Sequence, residues 1–257
     1  MVASKESSSS STTIKAEVYD TDRFGTLYHG SRNPPMANLG LAAAYMISLF
    51  RLHNISFAFV GGWAIFLRGG QRSTQDIDLA VAGNMDDVKA IMLQEQRLCI
   101  PQIHGVTAIQ IFAWTGGSWD PKSPAAREFP ISLDIIIGGN LGTPPDLPNG
   151  SEQLRPVHST TQGRQAVPVI DLYHQFTTKL LAHYTRRLDG DSKDYMDLNF
   201  LVSQYPEQIY YLRDFFDADQ KWAFYTDYAA ANDKSAAGFL LQILGFAQTT
   251  GVSQVSG

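Results

Sequence analysis

The acidic residues with the clearest chemical potential are Asp76 and Asp78, which lie in the segment DIDLAV. Side chains two positions apart on a strand point to the same face, so the two carboxylates should lie side by side. Like charges held this close repel each other unless a cation lies between them. Oxygen ligands suit Mg²⁺, which typically also takes phosphate oxygens of a substrate. The pair therefore predicts a divalent-metal site, with a water-exposed pair at a strand edge as the alternative.

A third carboxylate, Asp134, lies within the segment ISLDIII at 131–137. An aspartate inside an otherwise apolar strand is costly to bury without a partner. A metal shared with Asp76 and Asp78 would supply that partner, and paired metals are the usual arrangement for in-line phosphoryl displacement. Asp134 could instead act as a general base on an attacking hydroxyl. The non-catalytic alternative is that Asp134 ends the exposed part of an edge strand.

Spacing alone does not distinguish Asp76/Asp78, because the Asp-x-Asp pattern also occurs at Asp20/Asp22, Asp189/Asp191 and Asp217/Asp219. Those pairs lie in sequences typical of loops or helix ends, where turns, caps and solvated charges are the expected roles. The strand context is therefore what selects the pair at 76 and 78.

Two further features suggest phosphate binding. Gly61-Gly62 follows the apolar run FAFV and precedes a short helix, so its backbone N–H groups could approach a phosphate closely. Lys179 and Arg186 are seven positions apart and share one face of a predicted helix, which could close over a phosphate-binding cleft. The alternatives are an ordinary turn for the glycines and a solvated basic stripe for the cations.

The elements that must position these residues change in character along the chain. Apolar runs predict strands at 55–60, 76–81, 107–114 and 131–137, and helical spacing predicts helices at 38–53, 63–68 and 85–98. The Gly- and Pro-rich segment 138–168 predicts a long surface loop. Beyond it the chain is predicted to be helical at 171–188, 192–204, 206–216, 219–231 and 235–248. We therefore divide the chain into a disordered Ser/Thr-rich tail at 1–13, an α/β core at 14–168 and a helical region at 169–257.

The composition is that of an ordinary globular protein, with 44% hydrophobic and 18% charged residues among 257. The formal charge of -5 argues against a protein that coats nucleic acid non-specifically. Cys99 is the one cysteine in the sequence, which excludes an internal disulfide and fits a reducing compartment. The sequence begins without an apolar signal region and has no membrane-spanning apolar stretch. We expect a soluble cytoplasmic protein with no membrane association.

Two blocks of sequence resemble a known family. The segment FVGG at 59–62, a short helix and then RSTQDIDL at 72–79 resemble the signature of the DNA polymerase β-type nucleotidyltransferase superfamily. Within it the chain is most similar to the minimal, AbiEii-like toxin type, whose helical motif resembles KLLA at 179–182, Arg186, Lys193-Asp194 and Asp197-Leu198. The resemblance covers about residues 55–202.

This resemblance implies an α+β nucleotidyltransferase fold, a small mixed β-sheet flanked by helices, followed by a C-terminal helical region. It also implies transfer of a nucleoside monophosphate from an NTP, with Mg²⁺ or Mn²⁺ as cofactor and pyrophosphate as the leaving group. Asp76 and Asp78 would carry the metals, and Asp134 would complete the site. The nucleotide-binding residues implied are Gly61, Gly62, Arg68, Arg72, Ser73, Lys179, Arg186 and Asp194.

The acceptor and the final reaction stay open at this level. The hydroxyl acceptor could belong to a small molecule, a protein or a tRNA end, and the acidic net charge favours the first two. A nucleotide-activated ligation or condensation would need much the same site. A non-catalytic binding module or antitoxin-like partner is the third alternative, because fold does not fix function.

Overall fold

The computed structural model describes residues 15–158, 165–190 and 192–246. These residues form a mixed eight-stranded sheet with the strand order β1-β4-β5-β6-β3-β2-β8-β7. The strands are β1 (Glu17–Tyr19), β2 (Phe57–Val60), β3 (Asp76–Val81), β4 (Leu98–Pro101), β5 (Ala108–Thr115), β6 (Phe129–Ile137), β7 (Ser151–Leu154) and β8 (Val167–Ile170).

The helices flank this sheet and fill the C-terminal part of the described chain. They are α1 (Thr21–Gly30), α2 (Met36–Leu52), α3 (Gly61–Leu67), α4 (Met85–Met92), α5 (Leu172–Arg186), α6 (Lys193–Gln204), α7 (Pro206–Leu212), α8 (Ala218–Ala231) and α9 (Lys234–Ile243). Side-chain caps fix several starts: Asp20 accepts from the N–H of Arg23 in α1, and Asp217 accepts from that of Gln220 in α8. Such caps satisfy backbone donors that have no partner within the helix.

The centre of the sheet brings together chain segments that are distant in sequence. β3 pairs in antiparallel fashion with β2 and in parallel with β6, and β6 pairs in antiparallel fashion with β5. The apolar residues of β3 at 77, 79 and 81 are buried on one face, in a core shared with α2 and α4. Strand alternation therefore directs the side chains at 76 and 78 to the opposite face.

That opposite face is covered in two separate places. Near β1, β4 and β5 it carries a small aromatic cluster that includes Tyr19, Phe24, Leu27 and Phe112, with α1 on top. Near β2, β3 and β6, Leu147 packs over Ala58, Val60, Ala80 and Ile136. The acidic residues of β3 and β6 lie between these two coverings.

The C-terminal helices form a second core of their own. Phe176 and Leu180 of α5 pack with Leu198 and Leu201 of α6 and with Phe224 of α8. Ile65 of α3 belongs to the same core, so the helix that follows the glycine pair is anchored to the helical region. This packing fixes α5 and α6 beside the acidic face of the sheet.

The structure departs from the sequence-based elements in several places. The predicted loop at 138–168 contains β7 and the start of β8, so the sheet continues past the boundary at residue 168. The helix predicted at 85–98 ends at Met92, and Leu98 begins a buried strand instead. β1 and α1 were not predicted, and the tail at 1–13 lies outside the described residues. Within the described ranges, no helix has both the length and the apolar character that a bilayer crossing requires.

Candidate active site

The three aspartates predicted from the sequence meet on one face of the sheet. Asp78 and Asp134 are register partners on the parallel strands β3 and β6, and Asp76 lies two positions before Asp78. All three line one cavity of about 370 Å³. The central geometric prediction from the sequence, that these carboxylates converge beside the glycine pair, therefore agrees with the structure.

The electrostatics of this cluster are unfavourable without a cation. Burial, followed by the charges of Asp76 and Asp134, raises the pKa of Asp78 to about 8. Burial and the charge of Asp76 raise the pKa of Asp134 to about 6. Asp76 itself accepts a 3.2 Å hydrogen bond from the hydroxyl of Thr74. The three carboxylates thus form an acidic wall whose mutual repulsion a bound cation would relieve.

The glycine pair lets the backbone approach the acidic wall. Gly61 has φ +61°, and a Cβ on it would lie 1.7 Å from Oδ2 of Asp78. The N–H of Gly62 donates a hydrogen bond to Asp78 and lowers its pKa, opposing the effects of burial and charge. A Cβ on Gly62 would lie 2.7 Å from the hydroxyl oxygen of Thr74. The structure therefore gives Gly61 a steric role beside Asp78 and Gly62 a steric role beside Thr74, in addition to any contact with a phosphate.

The opposite wall of the cavity is basic and comes from α5, α6 and the loop before β3. Lys179 is buried, and its Nζ lies 3.0 Å from Asp194 and 2.8 Å from Asp197. Arg186 contacts the other carboxylate oxygen of Asp194. Arg72 donates two hydrogen bonds of 2.7 Å to Asp197. Three cations thus share two buried carboxylates, which leaves this group with a net positive charge facing the acidic wall.

Most of the predicted nucleotide-binding residues line this cavity: Gly61, Gly62, Arg72, Ser73, Lys179, Arg186 and Asp194. The structure assigns Asp194 a contact with the two cations of α5, so it orients basic side chains rather than meeting a phosphate directly. Lys179 is not part of a solvated stripe, because it is buried against Asp194, whereas the Arg186 side chain is 52% exposed and contacts Asp194 from the surface.

Arg68 is the exception, because it does not line this cavity. Its guanidinium is buried at the end of α3, where it pairs with Glu152 of β7 and donates a 2.8 Å hydrogen bond to the carbonyl of Ile170. Arg68 also lies over the ring of Tyr205 at 5.7 Å. The side chain therefore ties the sheet edge to the helical region, away from the acidic wall.

Asp197 is a buried partner of two cations that line the cavity, and no role was assigned to it from the sequence. It belongs to a stretch that resembles the family's helical motif, but its position on α6 alone gives no role. The available signal was the three-residue spacing of Asp194 and Asp197, which places both on one helix face. Their partner Lys179 lies on another helix, so the network appears only in the folded chain.

The side chains that line the cavity can be compared with the ligands that a metal ion requires. Among the residues described, no three His, Cys, Asp or Glu side chains form a group that could hold a metal ion. Mg²⁺, however, is commonly bound through one or two carboxylates together with substrate phosphates and water. A pair of clustered carboxylates facing a basic wall has that donor chemistry, so the residues fit a cation that arrives with a triphosphate.

A protein-family model matches more than half of the chain. Residues 48–237 match the family model described as "Nucleotidyl transferase AbiEii toxin, Type IV TA system". No curated protein matches the chain. The matched range contains the glycine pair, the three aspartates and the basic wall.

Three solved structures are similar to parts of the chain at low sequence identity. An antigenic nucleotidyltransferase-like protein from Paracoccidioides brasiliensis is 19% identical, with a TM-score of 0.49 over 66% of this chain and 76% of that one. ANT(2")-Ia in complex with adenylyl-2"-tobramycin is 18% identical, with a TM-score of 0.48 over 74% and 99%. The lincomycin-bound lincosamide adenylyltransferase LnuA is 16% identical, with a TM-score of 0.39 over 63% and 95%.

Proposed function

The chain belongs to the AbiEii nucleotidyltransferase family, and we propose that it moves a nucleoside monophosphate from an NTP to a hydroxyl acceptor in a metal-dependent reaction. The observation that supports this most directly is the register pair Asp78 and Asp134. It brings the third carboxylate to the Asp76/Asp78 pair, inside the cavity that also contains the glycine pair and the basic wall.

In this proposal the two walls of the cavity have different tasks. Asp76 and Asp78, together with triphosphate oxygens and water, would hold Mg²⁺ or Mn²⁺, which would neutralise charge on the triphosphate. Lys179 and Arg186 would stabilise the negative charge that develops on the departing pyrophosphate, where positioned cations have their largest effect. Asp194 and Asp197 would keep these cations in place before the nucleotide binds.

The transfer itself needs a nucleophile and a proton acceptor. The acceptor hydroxyl oxygen forms a bond to the α-phosphorus, and the bond from that phosphorus to the bridging oxygen of the β-phosphate breaks. Pyrophosphate leaves with the electron pair of that bond. Asp134 would receive the hydroxyl proton, because it borders the side of the acidic wall that faces β5.

Transfer assays with each of the four NTPs, labelled at the α-phosphate, test this proposal. The purified protein is incubated with each NTP and with Mg²⁺ or Mn²⁺, in the presence of small-molecule, protein or tRNA acceptors. We expect Asp134→Asn to lower kcat by about 10²–10⁴ while the dissociation constant of the NTP changes little. The matched control is Asp219→Asn, which alters an exposed member of another Asp-x-Asp pair.

Two results would contradict the proposal. One is a wild-type protein that binds no NTP in the presence of either metal. The other is pyrophosphate release in which the label never stays on an acceptor, since that pattern belongs to a nucleotide-activated ligation or condensation.

A further inference from the structure

A second cavity opens on the same face of the sheet, on the far side of β5 from the three aspartates. It also measures about 370 Å³, and we call it the β5 cavity. Its walls are the start of α1, the end of β1, the turn that follows β4 and the first residues of β5. The volume suits a small organic ligand rather than a folded macromolecule.

One register pair separates the β5 cavity from the acidic wall. Gln110 of β5 lines the β5 cavity and is paired across the sheet with Asp134. The side chains of two directly opposed residues lie on the same face, so these two are neighbours. Tyr19 donates a 2.6 Å hydrogen bond to the carbonyl of Gln110. Burial, followed by the charges of Cys99 and Asp134, raises the pKa of Tyr19.

We infer that the β5 cavity binds the acceptor, and that the acceptor is a small hydroxylated amine such as an amino sugar. This inference rests on the proposed function, which requires a second substrate beside the acidic wall. A hydroxyl group reaching past Gln110 would meet Asp134, lose its proton to that carboxylate and form the new bond to the α-phosphorus. Pyrophosphate would leave into the neighbouring cavity that contains Lys179 and Arg186.

The chemistry of the lining supports an amine. It combines the rings of Tyr19 and Phe24 with the exposed carboxylate of Asp20, the amide of Gln102 and the side-chain carbonyl of Gln110, whose amide nitrogen donates to Ser132. Carboxylates attract an ammonium group, aromatic faces attract cations, and amides bind hydroxyl groups.

The charged residues around the lining also favour an amine as the ligand. Asp22 follows on the exposed first turn of α1, and Asp86 lies 3.9 Å from His104, which lines the β5 cavity. No Lys or Arg is found among the described lining residues.

A phosphate-rich acceptor fits this lining poorly. Binding of nucleic acid depends on Lys and Arg side chains that neutralise phosphates. Two cations on neighbouring elements have partners, since Arg23 of α1 pairs with Glu17 and Lys89 of α4 donates to the carbonyl of Gln102. The acidic surroundings would repel a tRNA end and attract an amine.

The first experiment tests whether the positive charge of the acceptor matters, with pairs of acceptors that differ only in one ammonium group. Glucosamine and further amino sugars are compared with their N-acetylated forms, with α-phosphate-labelled NTP and Mg²⁺. We expect wild-type protein to label the free amines more efficiently. Asp20→Asn keeps the helix cap, because asparagine also caps, and should raise KM for the amine on the order of fivefold without changing kcat. Asp217→Asn, the same change at the cap of α8, should have no effect.

A second experiment tests whether the acceptor binds in the β5 cavity by filling that cavity with a bulky side chain. Ala108→Trp adds bulk at a half-buried position of its lining, and Ala125→Trp adds the same bulk at an exposed position outside it. We expect Ala108→Trp to abolish labelling of the amine while MgNTP still binds within twofold of wild type, and Ala125→Trp to behave as wild type. Thermal unfolding of both variants confirms that they are folded.

The outcomes separate this inference from the proposed function. Failure of wild-type protein to bind any NTP overturns both. Protein that binds MgNTP but labels tRNA or a protein in place of every amino sugar, or labels none of the probes, overturns the inference alone. Undiminished labelling by folded Ala108→Trp also overturns it, as does an unchanged KM in Asp20→Asn.

Discussion

Asp197 accepts two hydrogen bonds from the guanidinium of Arg72, each 2.7 Å long, across a separation of 125 positions in the sequence. The Asp197 side chain is only 1% exposed, and its second oxygen also lies 2.8 Å from Nζ of Lys179. One carboxylate on α6 therefore positions a cation from the loop before β3 and a cation from α5. Both cations line the cavity that contains the three aspartates.

The first prediction concerns this carboxylate. Asp197→Asn keeps the shape of the side chain but removes the charge that two buried cations share. Breaking a buried ion pair from one side leaves an uncompensated charge, so the free energy of unfolding should fall by about 3 kcal/mol. The dissociation constant of MgNTP should rise as well, because Arg72 and Lys179 lose their fixed positions. Urea unfolding and equilibrium NTP binding measure the two effects.

A double-mutant cycle supplies the control for this first prediction. Arg72→Met combined with Asp197→Asn should cost less stability than the sum of the two single changes, since the two residues interact. Strict additivity of the two changes, with NTP affinity unaltered in Asp197→Asn, would be incompatible with the proposed positioning role.

The site position of Asp134 could be predicted from the sequence, whereas the buried contacts of Asp197 could not. Asp134 was predicted because it interrupts an apolar strand, and strand alternation alone then gives its face. The buried role of Asp197 depends on α5 and α6 packing side by side, which no local pattern specifies. Local patterns indicate which residues are unusual, whereas the partners of buried charges are decided by tertiary packing.

The missed strands have the same kind of explanation. Leu98–Pro101 is a short apolar run, and such runs cannot be told from the end of a buried helix by periodicity. Val167–Ile170 follows a Gly- and Pro-rich stretch and contains Pro168, which argues against a strand from sequence alone. Both segments become strands because a neighbouring strand, β5 or β2, offers them hydrogen-bond partners.

The second prediction concerns the glycine that faces Asp78. Gly61→Ala places a Cβ 1.7 Å from Oδ2 of Asp78 at a position with φ +61°, so the carboxylate must move. We expect transfer activity to fall by at least about a hundredfold, because displacement of a catalytic group by about 1 Å has effects of this order. Steady-state kinetics measure the loss.

Gly238→Ala is the matched control for the glycine at position 61. Gly238 lies within α9, and a Cβ there would meet nothing within 4 Å. This change should leave transfer unaffected and stabilise the protein by about 0.4–1 kcal/mol. Full activity in Gly61→Ala would show that Asp78 does not need its present position.

The third prediction is a dependence of stability on pH that arises from the acidic wall. The folded-state pKa values of Asp78, about 8, and Asp134, about 6, lie above the value of about 3.9 for an unfolded aspartate. The folded chain therefore binds more protons than the unfolded chain between about pH 4 and pH 8. The contribution of these groups is fully present below about pH 4 and is lost as the pH rises through 6 and then 8.

Asp78→Asn should accordingly stabilise the metal-free protein at pH 8 by about 1–3 kcal/mol and have little effect near pH 4. Denaturant unfolding of variant and wild type across this pH range measures the difference. Asp214→Asn, at a side chain that is 77% exposed, is the control and should show no such trend. A stability difference between Asp78→Asn and wild type that stays constant with pH would contradict the repulsion described here.

The fourth prediction separates Arg68 from the basic residues of the cavity. Arg68→Met removes the donor to the buried carbonyl of Ile170, whereas its other partner, Glu152, is 46% exposed and can be hydrated by water. Loss of a single buried partner should lower the free energy of unfolding by about 1–3 kcal/mol. The affinity for MgNTP should stay within twofold of wild type, whereas Arg72→Met should weaken it clearly. If Arg68→Met instead weakened NTP binding as much as Arg72→Met does, with no loss of stability, Arg68 would be the phosphate contact that the family resemblance implies.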